Sequence, residues 1–415
     1  MKYVSTFSGI EAASVAWWPL GWQPIAFSEN DPFPSAVLKY RYPSIPNLGD
    51  ITKIDWNEIA RIHDTDLLVG GSPCQSFSIA GSRTGLSGSS GLMWEYVRAV
   101  KELRPRWILW ENVPGALSST HGEDFRCLLQ ALDDIGYALA WRVLDAEFFG
   151  LAQRRRRLFL VGSLDPDHDP ADALFSHTDL DDSVKPDLPN NDGISKTTGH
   201  STDTGVRVLD FSQNASRFRY AKTGVCQTLT SHAGTGGNNV PMILSGHPSV
   251  IRKLTPIECE RLQGFPDGWT DVPYHNRPHA IDSARYKALG NSMAVPVMTW
   301  IGRAIEETDN GMKGATAVFD QLQTSSGTVD KPPIHGHWMR AGICKNGNYR
   351  MTIIPEWTNT STTRPLWDIL EDPSMIPVKY RFSARASRGV LTRAKNKGDT
   401  MEPSLEVVLR RQIQD

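Results

Sequence analysis

The first 163 residues alternate short apolar runs with amphipathic or polar stretches, and this alternation restricts the fold more than any other feature of the chain. Strands are expected over residues 3–7, 25–29, 66–70, 107–111, 138–145 and 158–162. Between the third and fourth, Leu92, Tyr96, Val100 and Leu103 recur on one face, while Glu95, Arg98, Lys101 and Glu102 lie elsewhere. That spacing predicts an amphipathic helix over 92–103. Strands that alternate with helices read as an α/β fold built on a parallel, doubly wound sheet.

Beyond this region the texture changes. From Asp165 to about Gly224 the residues Asp, Pro, Ser, Thr, Asn and Gly dominate, as loop sequence does. Periodic structure returns at Arg252 and runs to about Glu307. The remainder, 308–415, carries its own aromatic residues (Trp338, Trp357, Trp367, Tyr380) and a final helix near 404–414. The expected organisation is therefore 1–164, 165–250, 251–307 and 308–415, the last an extension of open role.

Several functional classes are excluded at this level. No run of about 18 apolar residues occurs, so no membrane span is expected. The start MKYVSTFSGIEAAS lacks the basic-then-apolar layout of a signal peptide, which points to the cytoplasm. Five cysteines stand at 74, 127, 226, 259 and 344 with no CxxC pair, against a disulfide framework or a cysteine zinc site. His335, His337 and Cys344 are too few and poorly spaced for a metal site, so none is expected. The net charge of −2 gives no global signature of nucleic-acid binding, so any such surface must be local.

The sharpest motif is GGSPCQSFSIAG, residues 70–81, directly after the third apolar run. Ligands bind at the carboxyl ends of strands in a doubly wound sheet. A cysteine flanked there by glycines and Pro73 sits on a tight loop. A free cysteine is also commonly an inert buried residue, and position alone does not choose. The next run, Trp107 to Trp110, ends in Glu111 and brings a carboxylate to the same edge. Gln153 and four arginines, 154–157, precede a further strand and bring guanidinium groups toward it. Cysteine, acid and arginine together form a chemical set.

Six pieces of the chain, in order, resemble the DNA cytosine-5 methyltransferases of bacterial and phage type. They are FSGIE (7–11), GGSPCQSFS (70–78), ENV (111–113), QRRRR (153–157), RKLTPIECERLQGFPDGW (252–269) and GNSMAVPV (290–297). The resemblance implies a Rossmann-like S-adenosylmethionine-dependent sheet with a small target-recognition region and a C-terminal extension. It also implies transfer of a methyl group to carbon 5 of cytosine in double-stranded DNA. In that reading Cys74 adds to carbon 6 of a flipped base, turning the electron-poor ring into an enamine, so one hard step becomes two easier ones. Glu111 hydrogen-bonds N3 and the exocyclic amine, Arg157 holds O2, and Arg155 shapes the pocket. The family's cofactor positions fall on Phe7, Gly9, Glu29, Asp50, Ile51, Pro73, Leu92 and Asn291. Two departures bear on methionine binding: Glu11 stands where the family has glycine, and Ser5 where it has aspartate. Glu11 is expected in the first turn of a helix, where negative charge is favourable.

Target recognition is assigned by the resemblance to about 165–250. Arg207, Arg217, Arg219 and Lys222 are the basic candidates for DNA contact there, with Gln75 and Ser78 beside the nucleophile. Residues 379–411 add a local basic patch: Lys379, Arg381, Arg385, Arg388, Arg393, Lys395, Lys397, Arg410 and Arg411 against Asp399, Glu402 and Glu406. That patch suits either DNA phosphates or a packing or dimer surface. The type implies a monomer in the cytoplasm, with a cognate restriction endonuclease as counterpart rather than stable partner. Two rivals are a tRNA cytosine-5 methyltransferase of the same fold and a non-enzymatic DNA-binding relative. The presence of Cys74, Glu111 and Arg157 argues against the second.

Overall fold

Six strand-forming runs of the N-terminal half appear where the alternation places them: β1 (Lys2–Thr6), β2 (Gln23–Ser28), β3 (Leu67–Gly70), β4 (Trp107–Asn112), β5 (Ala138–Asp145) and β6 (Arg156–Ser163). The computed structural model describes residues 1–73, 91–175, 206–211, 218–221, 224–233, 240–245, 249–311, 338–352, 364–398 and 401–414. Cys74, Gln75, Ser78, Arg217 and Lys222 lie outside the described residues. The chain divides into two compact units. The first comprises Met1–Phe148, Arg156–Leu188 and Met293–Ser361; the second comprises Phe149–Arg155, Pro189–Ser292 and Thr362–Asp415.

The first unit is built on an eight-stranded sheet in which the last two strands at one edge, β11 (Ala341–Lys345) and β12 (Asn348–Thr352), come from the C-terminal side of the sequence. Its order is β12-β11-β5-β6-β4-β3-β1-β2. Strands β4, β3, β1 and β2 run parallel, and their connections carry α1 (Ala12–Trp17), α2 (Pro32–Arg41), α3 (Trp56–Ile62) and α4 (Gly91–Leu103). All four residues of β3 are buried, as expected of a central parallel strand covered on both faces. The helix expected over 92–103 is α4; its Met93, Tyr96, Val97, Val100 and Leu103 are buried.

The sheet is not parallel throughout, which corrects the simplest reading of the alternation. β6 lies antiparallel between β4 and β5, and β11 and β12 continue antiparallel beyond β5. The link between β5 and β6 explains the first reversal: residues 146–155 hold only a short 3-10 turn, and a parallel return needs a crossover of about a dozen residues or more. α5 (Glu123–Ile135) precedes β5 and ends at Gly136 with φ 109°. Part of the 308–415 segment completes this core. Trp338 meets Phe125 and Trp141 in mutually T-shaped contacts at 5.4 and 5.7 Å, and its Nε1 donates to Gly122 O. α6 (Pro170–Leu174) and α9 (Val295–Asp309) belong to the same unit. Trp17 Nε1 on α1 donates to Met298 O on α9 at 2.8 Å.

The second unit carries a four-stranded antiparallel sheet of β7 (Arg207–Phe211), β8 (Phe218–Tyr220), β9 (Met242–Ser245) and β10 (Val250–Lys253), in the order β10-β9-β7-β8. Helices α7 (Pro256–Gln263), α8 (Asp282–Asn291), α10 (Ala384–Lys397) and α11 (Pro403–Gln414) accompany it. Val390 of α10 and Leu405, Val408 and Leu409 of α11 pack with Leu209, Met242, Leu244 and Ile251 of the strands. Val390, Leu405, Val408 and Leu409 are thus part of this unit's core. The RKLTPIECERLQGFPDGW piece is held by buried charge. Arg252 forms a bidentate pair with Glu258 at 2.7 Å, and Glu260 accepts from Arg285, Gly268 N and Thr270 N. Among the described residues no helix is long and apolar enough to cross a membrane.

Candidate active site

Strand order reverses about β1 in the first unit: the chain goes from β1 outward to β2, then returns to place β3 on the other side. Ligand crevices form at such reversals, outside the carboxyl ends of the strands. The loop after β1 is Phe7-Ser8-Gly9-Ile10-Glu11, with left-handed φ at Phe7 (50°), Gly9 (57°) and Glu11 (64°). Non-glycine residues pay for this conformation, so the surrounding structure must over-determine it. Here it does: Ser8 N donates to Ser28 O, Ser8 Oγ donates to Ser5 O, and Gly9 N donates to Glu29 Oε2 at 2.9 Å. Glu29, at the end of β2, also accepts from Asp31 N at 2.6 Å, and burial holds its carboxyl above the ordinary value.

Glu11 is the N-cap of α1 rather than a residue of its first turn. It is 1% exposed; Oε1 accepts from Ser14 N at 3.1 Å and Ser14 Oγ at 3.0 Å, and Oε2 accepts from Ser5 Oγ at 2.9 Å. Burial pushes its carboxyl up to about 7, against the lowering effect of those donors. The two departures from the family pattern, Ser5 and Glu11, are therefore partners in one hydrogen bond. Tyr3 joins the cluster through Ser14 Oγ at 2.6 Å. The remaining cofactor candidates are placed as follows. Asp50 caps the 3-10 turn Ile51–Lys53, accepting from Thr52 N and Thr52 Oγ1, which lower its pKa. Ile51 is buried in the core, Leu92 begins α4 against that core, and Pro73 is exposed. Asn291 is exposed at the end of α8 in the second unit.

At the carboxyl ends of β3 and β4 the structure brings Glu111 and Arg157 together. Arg157 Nε lies 3.0 Å from Glu111 Oε1, with both side chains largely buried. The loop that leads to Cys74 starts against this pair. A Cβ on Gly71 would sit 2.9 Å from Glu111 Oε2 and 3.2 Å from its carbonyl, so only glycine lets the chain approach so closely. Ser72 is anchored from both sides: its Oγ accepts from Trp110 Nε1 at 3.1 Å and its carbonyl accepts from Asn112 Nδ2 at 3.1 Å. Asn112 of the ENV piece thus holds the loop.

Arg155 goes elsewhere. It belongs to the second unit, is buried, and donates to the carbonyls of Leu229 (2.8 Å), Gly290 (3.1 Å) and Ser292 (2.6 Å). Gln153 is fully buried beside it, accepting from Leu229 N and donating to Leu262 O and Gln263 Oε1. A Cβ on Gly290 would meet Thr230 O at 2.0 Å. Sequence reasoning missed this clamp. Its signal was the shared appearance of QRRRR, the Thr-Leu pair at 228–229 and the glycine at 290, whose spacing says nothing about contact. Of the DNA candidates, Arg207 is exposed at the start of β7 with its guanidinium 4.9 Å from the Tyr220 ring centre, and Arg219 lies in β8. Burial raises the thiols of Cys127, Cys226 and Cys259, and pushes Cys344 up to about 12.

Residues 1–307 match the family model described as C-5 cytosine-specific DNA methylase. The chain is 31% identical to the Type II methyltransferase M2.BsuMI of Bacillus subtilis (strain 168), with both chains covered in full. It is 33% identical to a protein of Escherichia phage P1 named as a DNA N-6-adenine-methyltransferase, over 73% of this chain but only 61% of the phage protein's length. The crystal structure of S. pombe Dnmt2 methyltransferase shares the fold, with a TM-score of 0.54 and 18% identity over 75% of this chain and all of that one. The chain belongs to the C-5 cytosine-specific DNA methylases.

Proposed function

We propose that this methyltransferase modifies cytosine in duplex DNA by reversible covalent addition of Cys74 to carbon 6 of an extruded base. One observation carries the reading. Glu111 and Arg157 form a 3.0 Å pair, and the chain runs from Gly71, in contact with Glu111, through exposed Pro73 to residue 74. Only two residues of chain lie between Gly71 and Cys74, a span of at most about 11 Å.

The family and fold imply S-adenosylmethionine, and the residues after β1 fit it. Nothing lies within 4 Å of a Cβ built on Gly9, so its backbone is open to a ligand. The Glu29 carboxylate accepts from Gly9 N and Asp31 N and keeps lone-pair capacity for a ribose hydroxyl. Phe7, Gly9 and Glu29 would hold the adenosine side, with Asp50, Ile51, Pro73 and Leu92 as further contacts. When bound, the cofactor supplies the methyl group.

The protein's own part is nucleophilic, positional and electrostatic. The Cys74 thiolate forms a bond to carbon 6, and electron density passes to carbon 5. Glu111, steadied by Arg157, accepts from the exocyclic amine and shares a proton with N3 as the thiolate adds, and Arg157 turns a donor to O2. After methylation a base removes the carbon 5 proton, and the Cys74–C6 bond breaks to regenerate the thiolate. Extruding the base costs a few kcal/mol, supplied by contacts with the duplex. Arg155 acts at a distance by fixing the carbonyls of Leu229, Gly290 and Ser292.

The test is Cys74→Ala and Cys74→Ser, assayed for methyl incorporation into duplex DNA and into tRNA, and for covalent trapping on 5-fluorocytosine DNA. The wild type should methylate and trap on DNA, and both variants should do neither. Full activity in either variant would end the covalent mechanism; incorporation into tRNA alone would move the substrate to RNA.

A further inference from the structure

We propose that the outward face of α10 is a docking surface for the phosphates of duplex DNA flanking the target, which rests on the reading of DNA as substrate. This helix lies beyond the part of the chain that matches the family model. Residues 381–397 contain six basic residues and no acidic one, in a chain whose net charge is −2.

The helix places those charges on one side. At 100° per residue, Arg385, Arg388, Thr392 and Lys395 fall within an arc of about 80°. All four are exposed. Ser387, Val390 and Ala394 occupy the opposite side and are buried. Val390 reaches the same apolar core as β7, β9, β10 and α11, so the basic face is mounted on the sheet that carries Arg207 and Arg219. Ser383 caps the helix by accepting from Ala386 N, and Gly398 closes it at φ 66°. The face is therefore rigid rather than a solvated tail.

Neighbouring basic residues are already paired: Lys379 Nζ lies 2.7 Å from Asp282, and Arg410 lies 2.6 Å from Glu406. Among the described residues, Arg385, Arg388 and Lys395 have no ion-pair partner. Arg385 also sits in the first turn, where positive charge opposes the helix dipole and no acidic residue offsets it. A phosphate bound there removes that penalty. From Arg385 to Lys395 the helix rises about 15 Å, the length of four to five base pairs along the duplex axis.

The full chain is tested against a short duplex of arbitrary sequence by fluorescence anisotropy between about 50 and 200 mM salt. Each phosphate contact contributes about 0.9 to the slope of log K against log salt. Replacing Arg385, Arg388 and Lys395 together by Gln should lower that slope by about 2.7. Affinity lost over this salt range then shrinks by roughly 40-fold. Arg385→Lys with Arg388→Lys should keep the slope, and Lys379→Gln, already paired, should leave it alone. Because the substituted side chains are exposed, thermal melts should superimpose; if the triple variant fails to fold, each single change should still remove about 0.9. A folded triple variant with the wild-type slope would overturn the proposal. The slope is read without catalysis, so a wild-type chain that binds duplex yet never methylates it would strike the proposed chemistry alone.

Discussion

Replacing Glu11 by Gln tests whether the buried carboxyl at the cap of α1 titrates as its surroundings dictate. The groups that face it are Ser5, Ser14, Tyr3 and Tyr42, none of them cationic. Burial lifts its carboxyl from an ordinary 4.5 to about 7. The folded protein then holds the proton more tightly than the unfolded chain does. Below about 4.5 both states are protonated and nothing is lost. As pH rises toward 7 the unfolded chain releases its proton first, so stability falls; above 7 the loss levels off. Each tenfold change in acidity is worth about 1.4 kcal/mol, giving a total of about 3 kcal/mol, most of it lost between pH 5 and 8. In Glu11→Gln the amide oxygen can accept from Ser14 N, and the NH2 can donate to Ser5 Oγ. The assay is denaturant unfolding of both proteins, without cofactor, across this range. Other titrating groups cancel in the difference. Wild type should lose about 2 to 3 kcal/mol relative to the variant on going from pH 5 to 8. Parallel stability curves would refute the assignment of the proton to Glu11.

Two further predictions concern the chemistry. Glu111→Gln keeps the shape but removes the charge that pairs with Arg157, and should lower kcat by about a hundredfold or more with little change in melting temperature. Gly71→Ala introduces a methyl 2.9 Å from Glu111 Oε2 at a position whose φ alanine tolerates. The carboxylate must move, and a displacement on the order of 1 Å can cost about a hundredfold in rate. Steady-state kinetics with unchanged KM for S-adenosylmethionine checks both.

The strands of the N-terminal half were readable to within about two residues because buried parallel strands are short continuous apolar runs, as at Leu67–Gly70. The antiparallel turn of β6 was also within reach, since residues 146–155 are too few for a helical crossover. The division of 308–415 was not. Trp338 and β11 complete the first unit's core, whereas 364–414 pack in the second. Both pieces are apolar enough to be core, and composition does not say whose. The site divides in the same way. Glu111 and Arg157 could be nominated from strand ends, but the close approach of Gly71 is a matter of tenths of an ångström.

What the amino-acid order determined alone is the class of fold, the family and the candidates for reactive side chains, because apolar periodicity and motif order are local properties. Tertiary structure decided which arginine of 154–157 meets Glu111 and which is buried among carbonyls. It also decided that Ser5 and Glu11 are one unit, and that the basic residues of α10 face outward from a fixed core. These are relations between residues distant in sequence or turned about a helix axis, and they exist only once the chain has closed on itself.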